Sequence, residues 1–283
     1  NVVWNTRNEA WAFYPTPSVF TYAWSPATYL SNTAISNPLA TAVGSTTAYT
    51  VTATNTSTGC TATANVTLTA TAPLNGTYTV GVSGNFSTLT AAINAYNTQC
   101  IGGPVVFSLI DATYSTSETF PIVIKRNSYA SAVNTLTIRP ASSVTATITG
   151  SVNSNAMIKI IGKYVTIDGS NNGTNTRNLT ITNTNNNSAV VVHIGSSGTT
   201  AVQNVTIKNC NLVDGTNNDL SYTSAVSVSD SSVIGSAGYF NNITIQNNNI
   251  QKGEFGIDIL AVKSTGNGSG TVISQNLMNS TAG

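Results

Sequence analysis

His193 is the only histidine in the 283 residues, so any imidazole chemistry rests on it. In Val190-Val-Val-His-Ile194, strand alternation sets Val190, Val192 and Ile194 on one face and His193 on the other. Asp258, between Ile257 and Ile259, points outward by the same rule. If His193 and Asp258 share an outer face, they form the imidazole–carboxylate pair that general acid–base chemistry uses. Otherwise both are surface groups open to a glycan or a protein partner. Asp168 and Asp214 each precede a glycine, which turn formation explains without catalysis. The loop Asp214-Gly-Thr-Asn-Asn-Asp219 is dense in oxygen ligands, so Asp214 and Asp219 are the candidate pair for calcium, although the spacing is not that of an EF-hand. No other cofactor is expected.

The remaining chemistry is thin. Glycoside hydrolysis needs two carboxylates flanking one bond. The acidic residues beyond position 160 (Asp168, Asp214, Asp219, Asp230, Glu254, Asp258) are dispersed, and Arg177 is the only arginine among them. No phosphate-binding loop, nucleophile motif or metal-ligand spacing is present. Three cysteines, Cys60, Cys100 and Cys210, are too scattered for a zinc site or a disulfide framework. They read as buried small hydrophobes, with a Cys60–Cys100 pair as the alternative.

Composition narrows the partners. Only 7% of residues are charged and the net charge is +1, which gives no footprint for nucleic acid or an anionic membrane. Asn, Thr and Ser must keep the surface wet. No apolar run approaches the roughly 20 residues that span a bilayer. The first residue is Asn1 and no signal peptide is evident, which suggests a mature or excised segment.

The elements that would position these residues divide near residue 72. All three tryptophans, Trp4, Trp11 and Trp24, lie before that point. Trp4, Trp11 and Tyr14 are candidate contact residues for a partner or glycan, whereas Tyr22, Trp24 and Tyr49 are expected to form a small core. Ala48–Thr54 and Cys60–Leu68 alternate strictly and are joined by the Gly-containing loop 55–59, a β-hairpin pattern. The string Tyr22-Ala-Trp-Ser-Pro, Asn37-Pro, Thr47-Ala-Tyr-Thr-Val-Thr-Ala-Thr and Gly59-Cys60 resembles the Ig-like modules of giant secreted surface proteins in gliding Bacteroidetes. The resemblance covers residues 20–70 and implies a short Ig-like β-sandwich in 1–72, either whole or lacking its first strands. It also implies an extracellular, cell-surface location, a multi-domain parent and passage through the type IX secretion machinery. It carries over no site residue.

Residues 73–85, rich in Gly, Pro and Asn, read as a linker. Phe86–Tyr96 reads as a helix, near 87–97, with Leu89, Ala92, Ile93 and Tyr96 on one face and Ser87 or Thr88 as its cap. Its place ahead of a β array marks it as a lid over the first coil. Beyond it a motif recurs: Leu136-Thr-Ile138, Val165-Thr-Ile167, Leu179-Thr-Ile181, Val205-Thr-Ile207 and Ile243-Thr-Ile245. Leu212, Ile250 and Met278 repeat five positions after the key isoleucine. Strands this short gain stability by stacking coil on coil, with coils of roughly 20–28 residues giving ~6 or 7 from residue 134 onward. Asn tolerates left-handed turns, and Asn209, Asn211, Asn247, Asn248, Asn249 and Asn276 recur where side-chain amides would stack along the axis.

The expected fold class is therefore all-β, an Ig-like sandwich followed by a parallel β-helix over 86–283. The helix, Gly102–Leu109 and the Val-Thr-Ile coils resemble the right-handed β-helix superfamily, which includes pectin-active enzymes, phage tailspikes and adhesins. The resemblance is one of fold. The Gly-His-Gly and Arg-Ile-Lys segments of polygalacturonase-like sites are missing, as are the clustered carboxylates of pectate-lyase-like ones. The expected role is non-enzymatic: adhesion, or a structural stalk, meeting other surface proteins, polysaccharide or further domains of the same parent. A polysaccharide lyase or hydrolase and a filament subunit are the alternatives. With no capping segment after Met278, the coil array is expected to continue in the parent or to be covered by a neighbouring chain.

Overall fold

The computed structural model describes residues 19–41, 45–215 and 222–279. The chain divides at residue 72 into two units, Asn1–Ala72 and Pro73–Gly283. In the first, β1 (Phe20–Ser25), β2 (Thr47–Asn55) and β3 (Thr61–Leu68) form one antiparallel sheet in the order β1-β2-β3. The expected hairpin is its centre, with Thr47 opposite Leu68 and Thr54 opposite Thr61. Trp24 lies opposite Val51 and donates from Nε1 to the Ile35 carbonyl at 2.9 Å. The expected aromatic core is smaller than the sequence suggests. Tyr49 is buried and donates to the Thr28 carbonyl at 2.7 Å, but Tyr22 and Trp24 are half-exposed, because the described residues supply no second sheet to cover them.

The second unit begins earlier than expected. Residues 73–85 are not a free linker: β4 (Leu74–Val80) pairs in parallel with β5 (Ile101–Leu109) and is the edge strand of the longest sheet. Between them runs α1 (Leu89–Thr98). Thr88 Oγ1 accepts the Ala91 N–H at 3.0 Å, a side-chain N-cap. Leu89, Ala92, Ile93 and Tyr96 are buried along the helical stripe, which packs against β4, β5 and the third strand of the first coil.

From β5 the chain coils in threes. The first coil continues through β6 (Thr113–Tyr114) and β7 (Ile122–Ile124), and the second is β8 (Leu136–Pro140), β9 (Ala146–Gly150) and β10 (Ala156–Ile160). The third is β11 (Lys163–Asp168), β12 (Leu179–Asn183) and β13 (Val190–Ser196), and the fourth β14 (Val202–Lys208), β15 (Cys210–Val213) and β16 (Ser224–Asp230). The fifth is β17 (Phe240–Gln246), β18 (Asn249–Gln251) and β19 (Phe255–Ile259), followed by β20 (Val272–Ser274) and β21 (Leu277–Asn279). Each strand pairs in parallel with the strand three places on, which yields sheets of seven, six and five strands. This is a three-sided parallel β-coil around one core.

Register explains the core. Leu136, Val165, Val205 and Ile243 stack in one rank, with Ile138, Ile167, Ile207 and Ile245 in the next, all fully buried. Burying each such side chain is worth about 1.5–3 kcal/mol, which the isolated strands, two to nine residues long, could not gain. Between the ranks, Thr137, Thr166, Thr206 and Thr244 form a half-buried row on the opposite face of the seven-stranded sheet. One member of the expected repeat belongs elsewhere. Leu179-Thr-Ile181 lies in the six-stranded sheet, opposite Ala146 and Cys210, because two sides of each coil use the same inward-outward pattern. Most coils therefore run longer than the expected 20–28 residues, the step from Ile245 to Ile273 being 28, and five of them open after residue 134, at β8, β11, β14, β17 and β20. In the last pair, Val272, Ile273, Leu277 and Met278 are exposed. Of the cysteines only Cys210 is buried; Cys60 and Cys100 are exposed, contrary to the expectation of three buried thiols.

Candidate functional site

The five-stranded sheet brings the chemistry-bearing residues onto one row. Lys159 of β10 pairs with His193 of β13, His193 with Ser227 of β16, and Ser227 with Asp258 of β19. The flanking Ile158, Ile160, Val192, Ile194, Val226 and Val228 fill the core, so the row lies on the opposite face. His193 and Asp258 share that face, as alternation requires, but Ser227 stands between them. Two strand spacings of about 4.8 Å separate them, beyond hydrogen-bond reach.

The row is not exposed at its centre, and the expectation of an accessible His193 fails. His193 is fully buried, as is every residue of β13. The chain after β16 folds back over it. Asp230 holds that turn by accepting the Ser232 N–H at 2.9 Å on Oδ1 and the Ser196 hydroxyl at 3.0 Å on Oδ2. Ser231 donates its N–H to the Ser196 carbonyl at 2.8 Å, over Gly195, where a Cβ would come within 2.8 Å of Ser231. Beneath this cover His193 Nε2 lies 2.8 Å from Ser229 Oγ, and Nδ1 has no partner. Burial, reinforced by the nearby Lys159 charge and opposed by Asp230, lowers the imidazole to about 4. His193 is therefore neutral at physiological pH. Asp258 is half-buried, with Oδ2 enclosed and unpartnered, and burial raises its carboxyl above the usual range.

Beside His193 the face opens into a cavity of ≈ 320 Å³. Lys159, Asn155, Ser188, Tyr222, Ser232 and Val233 are among its walls. The Lys159 ammonium donates to the Ser231 carbonyl. The Tyr222 hydroxyl is buried without a partner, and its ring packs 5.5 Å from that of Phe255. Sequence reading missed Lys159. Its signal was its place between Ile158 and Ile160, the same outward position that His193 and Asp258 hold.

The candidate calcium loop does not present an open pair of ligands. Asp214 is buried, one oxygen accepting the Gly215 N–H at 2.7 Å and the other enclosed without a partner. Burial raises its carboxyl to about 7, despite the opposing pulls of the Gly215 N–H and the Lys252 charge. Asp219 lies outside the described residues, as do Trp4, Trp11 and Tyr14. No group of three or more His, Cys, Asp or Glu side chains that could hold a metal occurs among the described residues.

The asparagines do assemble. Asn209 and Asn247 occupy the same turn of successive coils, both left-handed at φ 59° and 50°, with Gln275 next at 58°. Asn247 Nδ2 donates to Asn209 Oδ1 at 2.7 Å, and Asn209 Nδ2 to Asp168 Oδ1 at 2.7 Å. Arg177 clamps this line by donating to the carbonyl and side-chain oxygens of Asn247 at 2.8 and 2.7 Å. A second line runs one residue on: Cys210 N–H to Asn248 Oδ1, then Asn248 N–H to Asn276 Oδ1, each 3.0 Å. Asn249 Nδ2 reaches Asn211 Oδ1 at 3.2 Å in a third.

No family model, curated protein or solved structure matches this chain.

A fourth line escaped the sequence reading. Tyr164, Asn204 and Asn242 are left-handed at φ 57°, 55° and 54°, and Asn242 Nδ2 donates to Asn204 Oδ1 at 3.1 Å. The Asn immediately before Val205 and that before Ile243 were its visible signal. Chemically, these amide lines bind coil to coil. The row through His193 offers a neutral, covered imidazole and one partly open cation.

Proposed function

We propose that the chain is a non-enzymatic segment of a cell-surface or secreted protein, acting as a structural stalk that also meets a glycan or another surface protein. The observation that carries this reading is the set of amide lines along the coil axis, through Asp168, Asn209 and Asn247 and through Cys210, Asn248 and Asn276. They hold successive coils together mainly through neutral amides, and a charged fraction of 7% leaves a surface of Asn, Thr and Ser. In this reading the coil is right-handed, α1 is its lid and the first unit is a degenerate Ig-like module from a type IX-secreted parent. The best candidate acid or base for the rival, a polysaccharide lyase or hydrolase, is His193. Its burial, its low basicity and its bond to Ser229 favour a structural role.

The test incubates the purified chain with neutral and acidic polysaccharides, with and without calcium, and reads retention together with the appearance of new chain ends. Retention without scission is the expected result. Scission would establish the enzyme instead, and loss of retention on calcium removal would restore a metal role for the Asp214–Asp219 loop.

A further inference from the structure

The cavity beside His193 is built unlike the rest of the surface. Among the described residues its cation, Lys159, has no carboxylate within ion-pair distance, and the one ion pair is Lys208–Asp168, at 3.1 Å. Asp230, whose field reaches Lys159, has its two oxygens turned to Ser196 and Ser232. An ammonium carries three donors, and the Ser231 carbonyl takes one of them. Burial lowers the Lys159 ammonium below its ordinary range, a cost that an anion bound beside it would offset.

The walls add a second kind of evidence. Ser154 and Ser188, at the turns leading into β10 and β13, hold left-handed backbone at φ 54° and 41°, where Gly or Asn is less strained. Both line the cavity. The same backbone geometry recurs at Tyr164, Asn204 and Gln275, so at these two positions it sets the course of the wall. The Tyr222 hydroxyl adds a buried donor–acceptor without a partner, and Val233 and Ile234 supply an apolar lip. At ≈ 320 Å³ the space lies at the lower end of small-ligand sites, roughly 300–1,000 Å³.

From this arrangement we infer that the cavity binds one uronic-acid residue, its carboxylate on Lys159 and its ring hydroxyls among Ser154, Ser188, Ser232 and Tyr222. The C–H face of the pyranose rests on the apolar lip. A neutral sugar would leave the ammonium without an anion, and an aliphatic carboxylate would leave the buried Tyr222 hydroxyl unpartnered. An acidic polysaccharide as the source of that residue rests on the surface-segment reading above, whereas binding of the free sugar does not.

Free glucuronate and galacturonate are titrated into the purified chain by calorimetry or NMR, with glucose, galactose and acetate as controls. Saturable uronate binding, at least tenfold tighter than that of the matching neutral sugar, is expected. Lys159→Met should erase that preference. Ser232→Trp, which fills the cavity from an exposed turn, should abolish binding while leaving the melting temperature in place. Lys159→Gln serves where Lys159→Met fails to fold. Equal binding of glucose and glucuronate overturns the site, as does uronate binding that survives both substitutions, or none to the unaltered chain. If the free sugar binds but acidic polymers are not retained, the cavity stands and the adhesive reading falls.

Discussion

Asn276 Oδ1 receives both the backbone N–H and the side-chain amide of Asn248, each at 3.0 Å. One coil earlier Asn248 does the same for the Cys210 N–H, while its own amide donates to the Ile207 carbonyl at 2.9 Å. Each of these amides thus satisfies a buried backbone group in its neighbour, the Asn248 N–H in one case and the Cys210 N–H in the other.

Asn248→Ala should therefore cost about 2–4 kcal/mol, because it orphans two buried backbone groups. Asn211→Ala, at a half-buried outer rung, should cost under about 1 kcal/mol. Urea unfolding of both variants, with hydrogen exchange at Cys210 and Ile207, checks the contrast. Equal costs would mean that the inner line contributes no more than the outer one.

Two buried titratable groups work against each other. His193 falls from an unfolded value near 6.5 to about 4, so the unfolded state takes up protons first and stability is lost as pH falls from about 6.5 to 4. Asp214 rises from 3.8 to about 7, so the folded state holds its proton longer and stability is lost as pH rises from about 4 to 7. The windows overlap with opposite slopes. His193→Gln should expose the Asp214 slope, with stability falling by about 4 kcal/mol between pH 4 and 7. Asp214→Asn should expose the His193 slope, falling by about 3 kcal/mol in the other direction. Chemical denaturation across that range decides the matter; parallel profiles in the two variants would refute the opposition.

How far the sequence reached depends on the range of the interaction. The coil array was legible because period-2 runs such as Val205-Thr-Ile207 repeat with Asn at a fixed offset, and the left-handed turn at Asn209 and Asn247 follows from local sterics. The assignment of runs to sheets was not, since Leu179-Thr-Ile181 and Val165-Thr-Ile167 have the same local pattern and differ only in where the turn between them bends. His193 was placed on the right face but with the wrong surroundings. Its partner Ser229, and Ser231 over the neighbouring Gly195, come from the next coil and have no local signature. Residues 73–85 look like a linker because Gly76, Gly81 and Gly84 are turn formers, yet Gly76 and Gly81 lie in or beside a strand that exists only through its pairing with β5.

The Asp-Gly pairs were read as turns, and the glycines are required by close approach. A Cβ on Gly169 would lie 1.9 Å from the Asn209 carbonyl oxygen, and one on Gly215 1.8 Å from that of Asn185. Both clashes are with backbone atoms and not with the far end of a flexible side chain, so a small side-chain shift cannot relieve them. Gly169→Ala and Gly215→Ala should each destabilise by several kcal/mol, at least about 3. Gly173→Ala, with φ 75° but open space around its Cβ, should cost only about 1 kcal/mol. Melting temperatures of the three variants give the ranking, and a Gly173 variant as damaged as the other two would overturn it.

Glu118 performs a task no local pattern announces. Its carboxylate accepts the Leu89 N–H at 2.8 Å and the Thr90 N–H at 2.7 Å, two of the donors that the start of α1 leaves without helical partners. It also takes the Thr90 hydroxyl at 2.5 Å, so one side chain 28 or 29 residues away in sequence ties the helix to the first coil. Charge-assisted bonds at a helix N-terminus are the stronger kind. Glu118→Ala should cost about 1–3 kcal/mol, and the loss should be local. Amide exchange in Leu89–Thr98 should speed up well before that of β8 and β11, because the helix is released while the amide lines of the later coils stay intact. Glu118→Gln, which keeps an acceptor but not the charge, should fall between the two. Uniform acceleration across all coils would show instead that the helix and the array open as one cooperative unit, and that Glu118 sets the stability of the whole.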